Sequence, residues 1–106
     1  MTEYLLIESR DPFESNNVGY YYDLARRLVE VGNKVTLFLV QNAVFAARPL
    51  AQAPQLQLLI GSGINILADD FALRERGITK LVDGVQSASI EIVVDYLEAG
   101  HKTLWH

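Results

Sequence analysis

The run from Lys34 to Val40, KVTLFLV, constrains this chain more than any other segment. Its side chains are mostly β-branched or large and apolar, so it reads as a central strand covered on both faces. A strand of that kind needs one layer of structure above it and another below. The flanking segments can supply those layers. Tyr4 to Glu8 is a shorter apolar run closed by Ser9-Arg10-Asp11-Pro12, the pattern of a buried strand feeding a loop. Ser15, Asn16 and Asn17 offer an N-cap, after which Tyr21, Leu24, Ala25, Leu28 and Val31 recur at helical spacing and Gly32 ends the helix.

The same grammar continues downstream. Gln41 and Asn42 form a polar loop, Ala43 to Arg48 a short helical piece, and Gln55 to Ile60 a second one set apart by Pro49 and Pro54. After Gly61-Ser62-Gly63, Ile64 to Ala68 predicts a third strand, with Asp69 or Asp70 capping a helical turn through Arg76 that Gly77 closes. Thr79 to Asp83 predicts a short fourth strand. Ser87 then caps a last helix carrying Ile90, Val93, Val94 and Leu97 on one stripe, and His101 to Trp105 is the final strand. Alternating strand and helix, without linker, repeat or composition shift, predicts one α/β domain over residues 1–106, built on a mostly parallel sheet of about five strands with helices on both faces. Such folds carry their sites at the carboxyl ends of the strands. Those ends are predicted at Ser9 to Asn17, Gln41 to Asn42, Asp69 to Asp70, and Asp83 to Gln86.

Composition narrows the chemistry. Half of the 106 residues are hydrophobic, enough to bury a core without disulfides or metal. A net charge of -4 repels phosphate backbones and anionic lipid, so direct nucleic-acid or membrane binding is not expected. The sequence has no cysteine, which excludes thiolate nucleophiles and Cys-based zinc sites. The short N-terminal apolar run does not make a signal peptide and no stretch is long enough to span a bilayer, so a cytoplasmic location is expected. Mean hydropathy slightly above zero is high for a small acidic monomer and points to apolar surface covered by other subunits.

Few side-chain constellations carry chemistry. Asp69-Asp70 can bind a hard cation at a strand end, or one can cap the following helix while the other pairs with Arg74. Arg10 and Asp11, beside a helix N-terminus, can hold a small anion or form an intersubunit ion pair, but no glycine-rich phosphate cradle accompanies them. No cofactor is expected. His101 and His106 flank the last strand, too far apart to converge on one metal, with His106 expected as a solvated end. Of the run Tyr20, Tyr21 and Tyr22, helical geometry favours Tyr21 for the core and leaves Tyr20 or Tyr22 for a subunit contact, and Trp105 on the final strand is a further interface candidate.

Several stretches resemble the DsrE/DsrF/DsrH (TusB/TusC/TusD) sulfur-relay superfamily. Arg10-Asp11-Pro12-Phe13-Glu14-Ser15 is similar to the R-S-P-F-E-S opening of its DsrH/TusB-like members, with Asp11 in place of Ser. Val40 to Ala47 looks like their D-G-V-x-A-A segment, with Gln-Asn-Ala replacing the usual acidic residue and glycine. Ala68, Leu73, Arg76, Gly77 and Ile78 match an A-x-x-x-x-L-x-x-R-G-[IL] stretch, and Lys102 to Trp105 resembles the C-terminal strand with its aromatic. The helix from Val18 to Val31 also looks like the DsrE branch. The resemblance implies a flavodoxin-like or Rossmann-like three-layer fold, assembly into homo-oligomeric trimers or hexamers, and a sulfur-carrying cysteine just after the third strand. Counted back from Arg76-Gly77, that position falls on Asp69, and a carboxylate cannot form a persulfide.

Three functions follow as expectations. One is a non-catalytic binding or assembly subunit of a sulfur relay, homo-oligomeric or partnered with cysteine-bearing DsrE/TusD-like proteins. Its docking residues are then the strand-end set Arg10, Asp11, Gln41, Asn42, Asp69, Asp70 and Arg76. A second is a small metal- or ligand-binding enzyme using the same acidic and basic groups. A third, a phospho-receiver-like domain, suffers from poor spacing, because Lys102 begins its strand rather than ending it.

Overall fold

The computed structural model describes residues 2–51 and 53–106. Five strands, β1 (Glu3–Glu8), β2 (Lys34–Leu39), β3 (Asn65–Asp69), β4 (Val85–Ala88) and β5 (Lys102–Trp105), form one sheet in the order β4-β3-β2-β1-β5. Every neighbouring pair is parallel. Each strand-to-strand step therefore needs a crossover, and the helices α1 (Asn17–Glu30), α2 (Pro54–Leu59), α3 (Asp70–Glu75) and α4 (Ile92–Glu98), with a 3-10 helix at Gln41–Ala47, provide them.

KVTLFLV does what its composition demands. Val35, Leu37 and Leu39 join a cluster with residues of α1, α2, α3 and the 3-10 helix, while Phe38 and Val40 point to the opposite face and meet Leu5, Ile7 and Leu67. Side chains this size each contribute roughly 1.5–3 kcal/mol on full burial. The second face is roofed by α4, through Ile92, Val93 and Tyr96. The three-layer parallel architecture is thus the one the sequence predicts. The first three crossovers step in one direction from β1, and the fourth returns past them to place β5 on β1's free side. The sheet therefore has a switch point between β1 and β5.

Several local expectations are corrected. The core tyrosine of α1 is Tyr22, not Tyr21: Val18, Tyr22 and Ala25 are buried, whereas Leu24 and Val31 are exposed. The stripe is rotated because α1 packs against α2 as well as the sheet, and a Cβ on Gly19 would lie 2.8 Å from the Gln55 amide nitrogen. Tyr22 is therefore not available for a subunit contact. The fourth strand is Val85–Ala88 rather than Thr79 to Asp83, so Asp83 to Gln86 stand at its start and its carboxyl end is at Ser89-Ile90. Ser87 lies inside that strand, and it is the Ser89 hydroxyl that accepts the Glu91 N–H ahead of α4. Ile90, just ahead of α4, is exposed, as are Val94 and Leu97 on the helix, whereas Ile92, Val93 and Tyr96 face the sheet.

Candidate functional site

The carboxyl edge of the sheet carries two features. The first is a cleft of about 310 Å³ between the ends of β2, β3 and β5, bordered by Gln41, Asp69, Phe71, Arg76, Ile90 and Trp105. Its rim is aromatic and open: Phe71 is 56% and Trp105 61% exposed. Gln41, which begins the 3-10 helix, holds φ at 49°, the left-handed region that costs a side-chain-bearing residue about 1–2 kcal/mol. Strain of this kind accumulates where a chain is made to present something.

Two of the polar side chains that border the cleft, Asp69 and Arg76, are already engaged. Asp69 is 7% exposed, and its two carboxylate oxygens accept the N–H groups of Phe71 and Ala72 at 3.4 and 3.3 Å, capping α3. Asp70 faces outward toward Arg74 at 3.9 Å. The two neighbouring aspartates thus take separate tasks, and among the described residues no group of three or more His, Asp or Glu side chains gathers as a metal site. Arg76 donates through Nε and Nη2 to the Asn42 side-chain oxygen at 3.1 and 2.9 Å and through Nη1 to the Ala72 carbonyl at 3.2 Å. Its guanidinium also lies 5.7 Å from the centre of the Phe45 ring. Arg76 therefore ties α3 to the 3-10 helix. Arg10 and Asp11 do not border the cleft: Arg10 is exposed, and the Asp11 carboxylate accepts the Phe13 N–H at 2.9 Å, shaping the β1–α1 loop.

The second feature lies at the switch point. Glu8 is fully buried, and both of its carboxylate oxygens contact Nδ1 of His106, at 2.8 and 3.0 Å. The Arg10 N–H donates to the same carboxylate at 3.2 Å. His106 is stacked on Tyr21 with ring centres 5.0 Å apart, and the Tyr21 hydroxyl donates to the Leu104 carbonyl at 2.7 Å. Burial first, and the Glu8 charge second, push the Tyr21 and Tyr22 phenols well above the usual tyrosine range. The Tyr22 hydroxyl is buried without a hydrogen-bond partner among the described residues. His106, expected as a solvated end, is instead half-buried and paired with the buried Glu8. The signal was present in the strand period: Glu8 shares a face with Leu6, so a strand with Leu6 inward had to bury Glu8 as well.

With this geometry in hand, comparison with known proteins is informative at the level of shape. No family model matches the sequence, and no curated protein is similar to it. Solved structures do match. The ychN protein from E. coli superposes with a TM-score of 0.89 at 20% identity, over 100% of both chains. A protein of unknown function from Methanobacterium thermoautotrophicum, MTH1491, gives a TM-score of 0.85 at 18% identity, again over 100% of both chains. A conserved protein of unknown function from Bacteroides thetaiotaomicron, BT1422, gives 0.74 at 18% identity over 98% of this chain and 94% of its own. At these identities the likeness concerns the fold alone. Among the described residues no helix is long and apolar enough to cross a membrane.

Proposed function

We propose that this chain is a cysteine-less DsrE/DsrH-like subunit that serves a sulfur relay by docking partners rather than by carrying sulfur. The observation that carries the reading is Asp69. It ends the third parallel strand, where the resemblance expects the sulfur-bearing cysteine, and its carboxylate is spent on capping α3. Persulfide chemistry needs a sulfur nucleophile that accepts and releases a second sulfur, and this sequence has none. What the cleft offers instead is an aromatic rim on a rigid strand-end platform, the surface character enriched where proteins meet. Tyr20, 77% exposed on α1, offers a second contact for assembly into a trimer or hexamer, or for pairing with cysteine-bearing relatives in the cytoplasm.

Incubation with a persulfide donor followed by intact-mass measurement should leave this chain unmodified, and a stable sulfur adduct would defeat the reading. Native mass spectrometry should show a ring-sized oligomer alone or a complex with a cysteine-bearing relative; a monomer in both cases would contradict it. The cleft volume also favours a second reading, a small ligand-binding protein. A thermal-shift screen of divalent cations and small anions, repeated on Asp69→Ala, separates the two, because a docking platform gains no stability from either.

A further inference from the structure

The stripe of α1 that faces away from the core is apolar as well. Tyr20, Leu24 and Val31 stand at positions i, i+4 and i+11, with Arg27 at i+7 between them, so they run along one exposed side of the helix. Val31 is 76% exposed, and so, at 72%, is Leu58 of α2, which lines a groove of about 270 Å³ together with Gly19, Asp23, Arg26 and Gln55. Tyr20 borders the neighbouring hollow over the same Gly19, Asp23 and Gln55, which makes the stripe and the groove one surface. The bare area of Tyr20, Leu24, Val31 and Leu58 comes to on the order of 500 Å², the upper end of what a monomer leaves open and much of the about 800 Å² per partner in a standard interface.

Charge selects what covers it. The charged side chains set in this surface are two of each sign and answer one another: Arg26 bonds Asp23 and Glu30, and Arg27 bonds Asp23 at 2.9 Å. A face without net charge meets its own copy without repulsion, although the whole chain carries -4. The other exposed apolar stripe, Ile90, Val94 and Leu97, differs on this point. Glu91, Asp95 and Glu98 accompany it with no Lys or Arg between them, so two copies of that face repel.

We propose that α1 pairs with α1 of a second copy of this chain, antiparallel about a two-fold axis through the middle of the exposed stripe. Tyr20 then faces Val31 of the second copy and Leu24 faces its Arg27, so the apolar ends of the stripe cover one another and the two neutral charge networks lie side by side. The pairing rests on the assembly part of the docking reading and not on its sulfur chemistry, and it uses no residue that borders the cleft. A contact of this kind closes at two copies. A larger ring must then hold an even number of chains and draw on a second surface.

Sedimentation velocity of the full chain should show a dimer or a larger even-numbered assembly that persists at high salt, because apolar area rather than net charge holds it. Val31→Glu and Leu58→Glu put a charge at exposed positions outside the core, and each enters the interface twice. Either should weaken the association at least about tenfold while circular dichroism stays unchanged. Val94→Glu, on α4, should leave the assembly intact. The chain has no cysteine, so an introduced thiol is unique. Tyr20→Cys mixed with Val31→Cys should be joined by a short bismaleimide into a covalent dimer, and neither variant alone should be. A monomer, an odd-numbered ring, association that survives both Val31→Glu and Leu58→Glu, or cross-linking of Tyr20→Cys to itself would overturn the proposal. An assembly that survives both substitutions, on a chain free of sulfur adducts, sinks the pairing and leaves the docking reading standing; a sulfur adduct on a chain that pairs as described sinks that reading alone.

Discussion

Replacing Asp69 with alanine tests whether this carboxylate is a structural cap or a free functional group. Asp69 accepts two backbone N–H groups of the first turn of α3, which spans Asp70–Glu75. Losing an N-cap carboxylate ordinarily costs about 0.5–2 kcal/mol. Distances of 3.3 and 3.4 Å are long for such bonds and pull the expectation toward the lower half of that range. The favourable interaction of the charge with the helix dipole, about 0.3–1 kcal/mol, pulls it back. A net loss of about 1 kcal/mol is expected, which lowers the melting temperature of a domain this size by roughly 4–8 °C. Asp69→Asn and Asp69→Ser, which keep an acceptor, should recover most of it. Urea and thermal denaturation of the variants measure the effect. If alanine were neutral or stabilising, the repulsion between Asp69 and Asp70 would outweigh the cap, and the aspartate would be better read as a binding group held at a cost.

Tyr22→Phe removes a buried hydroxyl that has no partner among the described residues, so it should be neutral or stabilising in chemical denaturation. Alkaline unfolding offers a companion test. Tyr21 and Tyr22 have folded-state pKa values raised above the unfolded one, so their stability contribution is intact below about pH 10 and is lost as pH rises beyond it. The Phe variant should remove up to about 1.4 kcal/mol per pH unit of that slope, read from denaturation series at increasing pH. Gly84→Ala should cost at least about 1 kcal/mol, because Gly84 has φ +98° and a Cβ there would lie 2.7 Å from the Ile60 Cγ2. Phe38→Ala, in the middle of the sheet, should cost about 3–5 kcal/mol and test whether α4 alone seals its face.

The sequence was most legible where burial is one-sided or complete. KVTLFLV left no alternative to a central strand, and Gly32, Gly77 and Gly100 close helices with the positive φ their positions require. The fourth strand was obscured because Val85–Ala88 pairs on one side only and buries just Val85, while Leu81 and Val82 in the preceding loop carry the stronger apolar signal. Those loop residues pack against the first core cluster, and Val82 donates its N–H to the Ala47 carbonyl. On α4 the run Ile92-Val93-Val94 is apolar on successive positions, so periodicity alone could not choose the inward stripe. Around the cleft, Asn42 and Asp69 were legible from their strand-end positions and Arg76 from the close of its helix before Gly77, and the structure joins Asn42 to Arg76 directly. Glu8 with His106 was not, because residues so far apart in sequence meet only once β5 has docked beside β1.

That docking bears on how the chain reaches its final form. Tyr4 pairs with Lys102, so one flank of the first strand stays bare until almost all of the polypeptide has been ordered. Closing so long a loop is entropically late, and a nucleus built from β1, α1 and β2 should form well before it. Until then Leu5 and Ile7 have no neighbour on that side, and an unpaired apolar edge invites a strand from another molecule. The last segment to join the sheet thus doubles as the fold's own guard against mispairing.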